Sequence, residues 1–188
     1  MKKNKLDPKR QFWNRTGLIV STSYLFLTLF VQSIVMNKFE KQLEENAISY
    51  QEIVVKPSPF NIILWTTNVK VDNGYYIGDY SFFDTKPIQF QFIPTQNELI
   101  SNIEDAAVIQ QLKRISEGWY CITQKENQLF FNDLRFGVMN ADKNDMQFSF
   151  SYHITEENGE IKAAELPNKN RREAKKLLGK LWVRLQGN

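Results

Sequence analysis

The sequence predicts an α+β protein: an N-terminal transmembrane helix, then an antiparallel hairpin-built sheet domain with one internal and one C-terminal amphipathic helix. Three observations predict it. Gly17 to Met36 is a run of 20 residues without a charge. From Tyr50 onward, short β-rich runs alternate with turn signals such as Asp72-Asn73-Gly74 and Glu157-Asn158-Gly159. Near the end, Ala174, Leu177, Leu178, Leu181, Trp182 and Leu185 recur at helical spacing. A chain of 188 residues, 42% hydrophobic and with one Cys and one His, is neither disordered nor disulfide-built, and it holds no multi-His zinc site.

The apolar run reaches roughly 30 Å at about 1.5 Å per residue, the thickness of a bilayer core. A secretory signal peptide is the competing reading, because a basic segment precedes the run. Its length, and the absence of a small-residue cleavage site in Asn37-Lys38-Phe39-Glu40, favour an uncleaved anchor. The only cysteine, Cys121, is too distant for a lipoprotein. Trp13 and Tyr24 suit the interface and its neighbourhood.

Charge is distributed unevenly. Residues 1–15 hold six basic groups against one acidic, and residues 169–188 hold seven against one. The body between them holds eleven against nineteen. Basic charge confined to the termini does not make a nucleic-acid groove, so no nucleic-acid partner is expected. Beyond the span only Lys38 and Lys41 lie close by, so the positive-inside rule keeps the N-terminus in the cytoplasm. The chain then divides into a basic cytoplasmic segment (1–15), a transmembrane helix with stalk (16–47) and a soluble domain outside the cytoplasm (48–188). Expected partners are the lipid bilayer and another transmembrane helix, because Gly17, Ser21, Thr28 and Gln32 form a small and polar stripe. Ser and Thr bonding back to their own helix is the alternative for part of that stripe.

In the soluble body, strands are expected at 51–56, 60–71, 75–83 and 88–93, with the second and third joined at Asp72-Asn73-Gly74. Residues 96–116 read as one helix, with Leu99, Ile103, Ala107, Ile109 and Leu112 roughly on one side. A second hairpin pairs 119–124 with 128–132, and strict alternation over 146–155 is followed by a turn into 160–164. The final helix is expected to dock on the sheet with its basic face solvated; the alternative is a helix lying on anionic lipid beside the anchor.

Catalytic signals are few. His153 reads as a solvent-facing strand residue and Cys121 as a buried thiol without a basic neighbour. Asp142-Lys143-Asn144-Asp145 lacks the oxygen spacing of a calcium loop and reads as a solvated turn. No phosphate-binding loop, nucleophile elbow or metalloprotease motif occurs. The densest polar and aromatic constellation is Asn132-Asp133-Leu134-Arg135-Phe136-Gly137. Asp133 and Arg135 fall on one strand face, where they form either a structural ion pair or an anion contact. The candidate ligand or partner cleft therefore comprises Trp65, Tyr76, Trp119, Asn132, Asp133 and Arg135. No catalytic, cofactor-binding or metal-binding residue is assigned.

Several stretches carry a resemblance: Trp13-Asn14-Arg15, Lys38-Phe39-Glu40, Asn61-Ile62-Ile63-Leu64-Trp65, Gly74-Tyr75-Tyr76-Ile77-Gly78 and Phe131-Asn132-Asp133-Leu134-Arg135-Phe136-Gly137. Together they resemble the C-terminal portion, last membrane helix plus soluble domain, of the bacterial inner-membrane metal-dependent hydrolase family. The resemblance implies an inner-membrane location and a divalent metal held in N-terminal helices that this chain does not contain. No family metal ligand maps onto any residue here, so no cofactor is expected in this chain. Two functions stay open. The chain is the anchored soluble domain of such a hydrolase, not catalytic by itself, or it is a stand-alone, non-enzymatic membrane-anchored binding module.

Overall fold

The computed structural model describes residues 8–59, 61–140, 146–166 and 174–188. Helix α1 is a single rod, Pro8–Glu45, about 57 Å long at 1.5 Å per residue. Pro8 opens it, where a missing N–H costs nothing. Ala47 ends it in the left-handed region (φ 53°), and Ile48 N–H donates back to Leu43 O at 2.9 Å. It is long and apolar enough to cross a membrane.

The polar stripe on α1 finds its partners inside the chain. Ser21 and Thr28 hydroxyls donate to Leu18 O and Tyr24 O, each one turn back. Gln32 Nε2 donates to Val55 O in the soluble domain at 3.0 Å.

Two four-stranded antiparallel sheets follow. Sheet A is a meander of β1 (Glu52–Pro57), β2 (Leu64–Val71), β3 (Gly74–Ser81) and β4 (Phe90–Pro94). Sheet B is a second meander of β5 (Tyr120–Lys125), β6 (Gln128–Asn140), β7 (Gln147–Glu157) and β8 (Glu160–Glu165). Asp72-Asn73-Gly74 turns β2 into β3, as its composition predicts. A Cβ on Gly74 would sit 2.4 Å from Ile93 O, so only glycine lets β4 approach there.

Four layers stack in order. Val35 and Phe39 of α1 pack on Val55, Trp65 and Ile88, one face of sheet A. The other face of sheet A meets sheet B through Tyr75, Ile93, Trp119, Cys121 and Leu134. Beyond sheet B, Ile100, Ile109 and Leu112 cover Tyr120, Ile122, Phe131 and Ile154. Each fully buried Val, Leu or Phe contributes about 1.5–3 kcal/mol.

Three expectations are corrected. Residues 96–116 do not form one helix; a 3₁₀ turn (Asn97–Ile100) and α2 (Ala107–Ile115) are separated by Ser101-Asn102-Ile103-Glu104-Asp105-Ala106. Ser, Asn and Asp compete for backbone hydrogen bonds and interrupt the helix. The second strand starts at Leu64, because Asn61 Oδ1 accepts from Ile63 and Leu64 N–H and holds a turn before it. Strand β6 runs past Asn132 to Asn140, with an irregularity in its register between Asp133 and Val138 where Gly137 takes φ 75°. The Asp142–Asp145 turn lies outside the described residues.

Helix α3 (Ala174–Leu185) is pinned by polar contacts at its C-terminal end. Arg184 Nη1 and Nη2 donate to the two Asp84 carboxylate oxygens at 2.6 and 2.7 Å. Ser81 Oγ donates to Leu185 O and Thr85 Oγ1 to Asn188 O. Of the expected docking face, Leu181 and Leu185 are half-buried and Leu178 and Trp182 stay 55% and 63% exposed, while the side chains of Ala174 and Leu177 lie outside the described residues.

Strand β1 begins near Tyr50, whose hydroxyl donates to Glu40, and passes Gln32 at Val55. It therefore runs back along α1 toward the apolar segment. Pro57 pairs with Trp65, Trp65 with Tyr80, and Leu64 with Ser81. This end of sheet A, with α3 attached at Ser81, lies on the side of the apolar segment.

Candidate ligand cleft

The six residues expected to form one cleft are distributed over three layers. Trp65 is fully buried on the α1 side of sheet A, its Nε1 donating to Ile62 O at 2.8 Å. Tyr76 shares that side with Phe90 and Phe92, at ring distances of 6.5 and 5.1 Å. Trp119 lies between the sheets, 5.6 Å from the Tyr75 ring. Asn132 is buried within sheet B, donating to Thr123 Oγ1 at 2.9 Å and accepting from Ser151 Oγ at 2.7 Å.

Asp133 and Arg135 do come together. Arg135 Nη2 and Nε donate to the Asp133 carboxylate at 2.8 and 3.2 Å, and Arg135 N–H donates to it at 2.9 Å. Glu117 adds a second, exposed acceptor at 3.1 Å. The hydrogen bonds to Asp133 raise the guanidinium pKa further, so the group is a fixed cation. The Glu117 contact ties the chain before β5 to β6.

A cleft of about 1010 Å³ opens elsewhere, between the inner face of sheet A, the bulged part of β6 and α3. Its floor is a row across three strands: Asn68 on β2, Ile77 on β3 and Gln91 on β4, directly paired in register. Thr66 and Asp79 continue the floor, Phe136 and Val138 form one wall, and Leu178, Leu181 and Arg184 form the other. Lys56 and Lys180 stand at its margins. Of the six expected residues only Arg135 lines it.

Two polar atoms in the floor are unusual. Asn68, only 5% exposed, donates Nδ2 to Leu134 O at 2.8 Å, yet its Oδ1 has no partner. Gln91 Nε2 is buried and equally unpartnered. Strands two apart lie about 10 Å from each other, so an acceptor and a donor, both closed to solvent, lie in the cleft floor on either side of Ile77. An unpaired buried amide costs about 1–3 kcal/mol.

Asp79 is the titratable group of the floor. Desolvation within the cleft raises its carboxyl pKa although the residue stays exposed, while the Thr66 hydroxyl (2.7 Å to Oδ1) and Arg184 pull the other way. Arg184 also donates to Asp79 O at 2.9 Å. The cleft thus offers neutral amides, one carboxyl and several cations along an apolar wall. It suits binding better than nucleophilic chemistry. Cys121, the sole thiol, is buried outside it and pushed up to about 12 by desolvation. His153 stacks on Phe130 at 5.2 Å in sheet B. Among the described residues no group of three His, Cys, Asp or Glu side chains is placed to hold a metal ion.

Sequence reasoning missed Asn68, Asp79 and Gln91. Asn68 and Gln91 had a readable signal: each is a polar residue on the inward-facing parity of a strand. No protein-family model, curated protein or solved structure matches the chain.

Proposed function

We propose that the chain is a membrane-anchored binding module whose cleft takes a ligand carrying a secondary amide, as in a peptide or an N-acetylated sugar. One observation carries the reading: Asn68 Oδ1 and Gln91 Nε2 are buried, unpartnered and complementary on one cleft floor. An amide N–H meeting the first and its C=O meeting the second removes both desolvation costs. Asp79 and the marginal lysines add polar contacts to either end of such a ligand.

The test is a titration of the full chain in lipid nanodiscs with N-acetylglucosamine trisaccharide and, separately, trialanine. The side-chain amide resonances of Asn68 and Gln91 are followed. Saturable shifts with one probe are expected, and they should vanish in Ile77→Trp, which fills the floor. Unmoved resonances with both probes sink the amide reading.

Anchoring is favoured by where the helix ends. Val35, within the apolar run, is fully buried against sheet A, so cleavage after the run would remove a core residue along with the span. The basic asymmetry across the span supports a cytoplasmic N-terminus and an outward soluble domain. A reporter active only outside the cytoplasm, fused after Asn188, should be active; silence there with activity of a cytoplasmic reporter reverses the orientation. The hydrolase reading rests on the motif resemblance, and it too gives this domain a ligand-positioning role with catalysis elsewhere. An adjacent reading frame encoding His-rich spans would favour it.

A further inference from the structure

We propose that α3, together with the Phe82-Phe83 corner beside it, lies on the surface of the same bilayer that holds α1. The proposal rests on the anchor reading of α1 and adds a second membrane contact to it. Helix α3 turns only part of its apolar face to the protein: Leu181 and Leu185 are half-buried, while Leu178, Trp182 and Val183 are 55%, 63% and 67% exposed. Among the described residues its polar contacts to the body sit at one end, at Arg184, Leu185 and Asn188. Phe82 and Phe83 are exposed too, and Phe83 O lies 2.3 Å from where a Cβ on Gly187 would be, so corner and helix end are in direct contact.

The position of this patch selects its occupant. The end of sheet A that holds α3 is the end toward which β1 returns along α1, the end nearer the apolar segment. An apolar surface there faces the headgroup layer, where Trp and Phe partition well. Charge agrees: residues 169–188 carry seven basic groups against one acidic, and Lys180 and Lys86 are exposed beside the patch. Such a surface is attracted to anionic lipid. The same helix forms one wall of the cleft through Leu178 and Leu181, so docking places the cleft at the lipid surface.

The experiment uses the full chain in nanodiscs containing phosphatidylglycerol, with a nitroxide on V183C, on F26C in the span, or on E156C on β7. Cys121 is fully buried and takes no label. The ratio of oxygen to water-soluble nickel accessibility at V183C should exceed that at E156C by about tenfold and approach that at F26C. A lipid-like F26C with a water-like V183C overturns the docking and leaves the anchor standing. A water-like F26C overturns the anchor itself. Spectral broadening at V183C that disappears on dilution with unlabelled chain means that a second copy covers the patch, and this also overturns the proposal.

Discussion

Arg184→Ala should release α3 without unfolding the sheets. The guanidinium makes three charge-assisted hydrogen bonds, two to Asp84 and one to Asp79 O, at 2.6 to 2.9 Å. Asp84 is 2% exposed at its side chain and Arg184 28%, so the pair is neither fully dry nor a surface pair. Breaking a fully buried pair costs about 3–5 kcal/mol, and partial exposure of the arginine reduces this to about 2–3 kcal/mol. Sheet A retains α1 on one face and sheet B on the other, so the loss falls on the α3 attachment. Amide exchange in α3 should accelerate by about 30- to 160-fold, while exchange in β2 and β3 stays within about threefold. The same contact has a pH signature. Burial alone would raise the Asp84 pKa, but the Arg184 fork and the Ser81 N–H outweigh it and hold the carboxyl below its usual range. Its stabilising contribution is therefore complete above about pH 4 and is lost as pH falls through the depressed folded value. Arg184→Lys, which keeps the charge but loses the fork, should fall between wild type and alanine. Unchanged α3 exchange in Arg184→Ala would refute the view that this fork holds the helix.

Burial sets two other outcomes. Arg135→Ala should cost about 2–3 kcal/mol in chemical denaturation, because Asp133 is left buried and unpaired, whereas Glu117→Ala, at a side chain 74% exposed, should cost less than about 0.5 kcal/mol; equal costs would mean that Asp133 does not dominate the network. Tyr75 is pushed up to about 12 mainly by burial, and its hydroxyl donates to Gly118 O at 2.9 Å, so folding favours the neutral phenol. Its contribution is fully present below pH 10 and declines as pH rises toward 12, so Tyr75→Phe should flatten alkaline denaturation over that window. A variant with the wild-type alkaline slope would assign the titration to other groups.

Much of the local structure was legible in the chain because it is dictated locally. An uncharged run of 20 residues has few options but a helix, and Asp72-Asn73-Gly74 accepts the dihedrals of a tight turn that most sequences resist. The alternation over 146–155 marked a strand, although Phe148 packs between the sheets, Tyr152 on the α2 side, and Phe150 stays exposed. The Asp133–Arg135 pair was also readable, since residues two apart in a strand share a face.

Tertiary structure alone decided which faces meet. Trp65, Tyr76, Trp119 and Asn132 read as one aromatic and polar cluster along the chain, but α1 packs on one face of sheet A and sheet B on the other, which sends them to separate layers. The cleft depends on segments about 100 residues apart, with Arg184 closing onto Asp84 and Asp79. Gln32, placed by the sequence in a spanning stripe, is claimed by Val55 O once β1 folds back along the helix. Periodicity reports that a face is apolar or polar; it carries no information on what that face will touch. That is set by packing two sheets and two helices around shared cores, and there Asn68 Oδ1 and Gln91 Nε2 were left on either side of Ile77 without a partner.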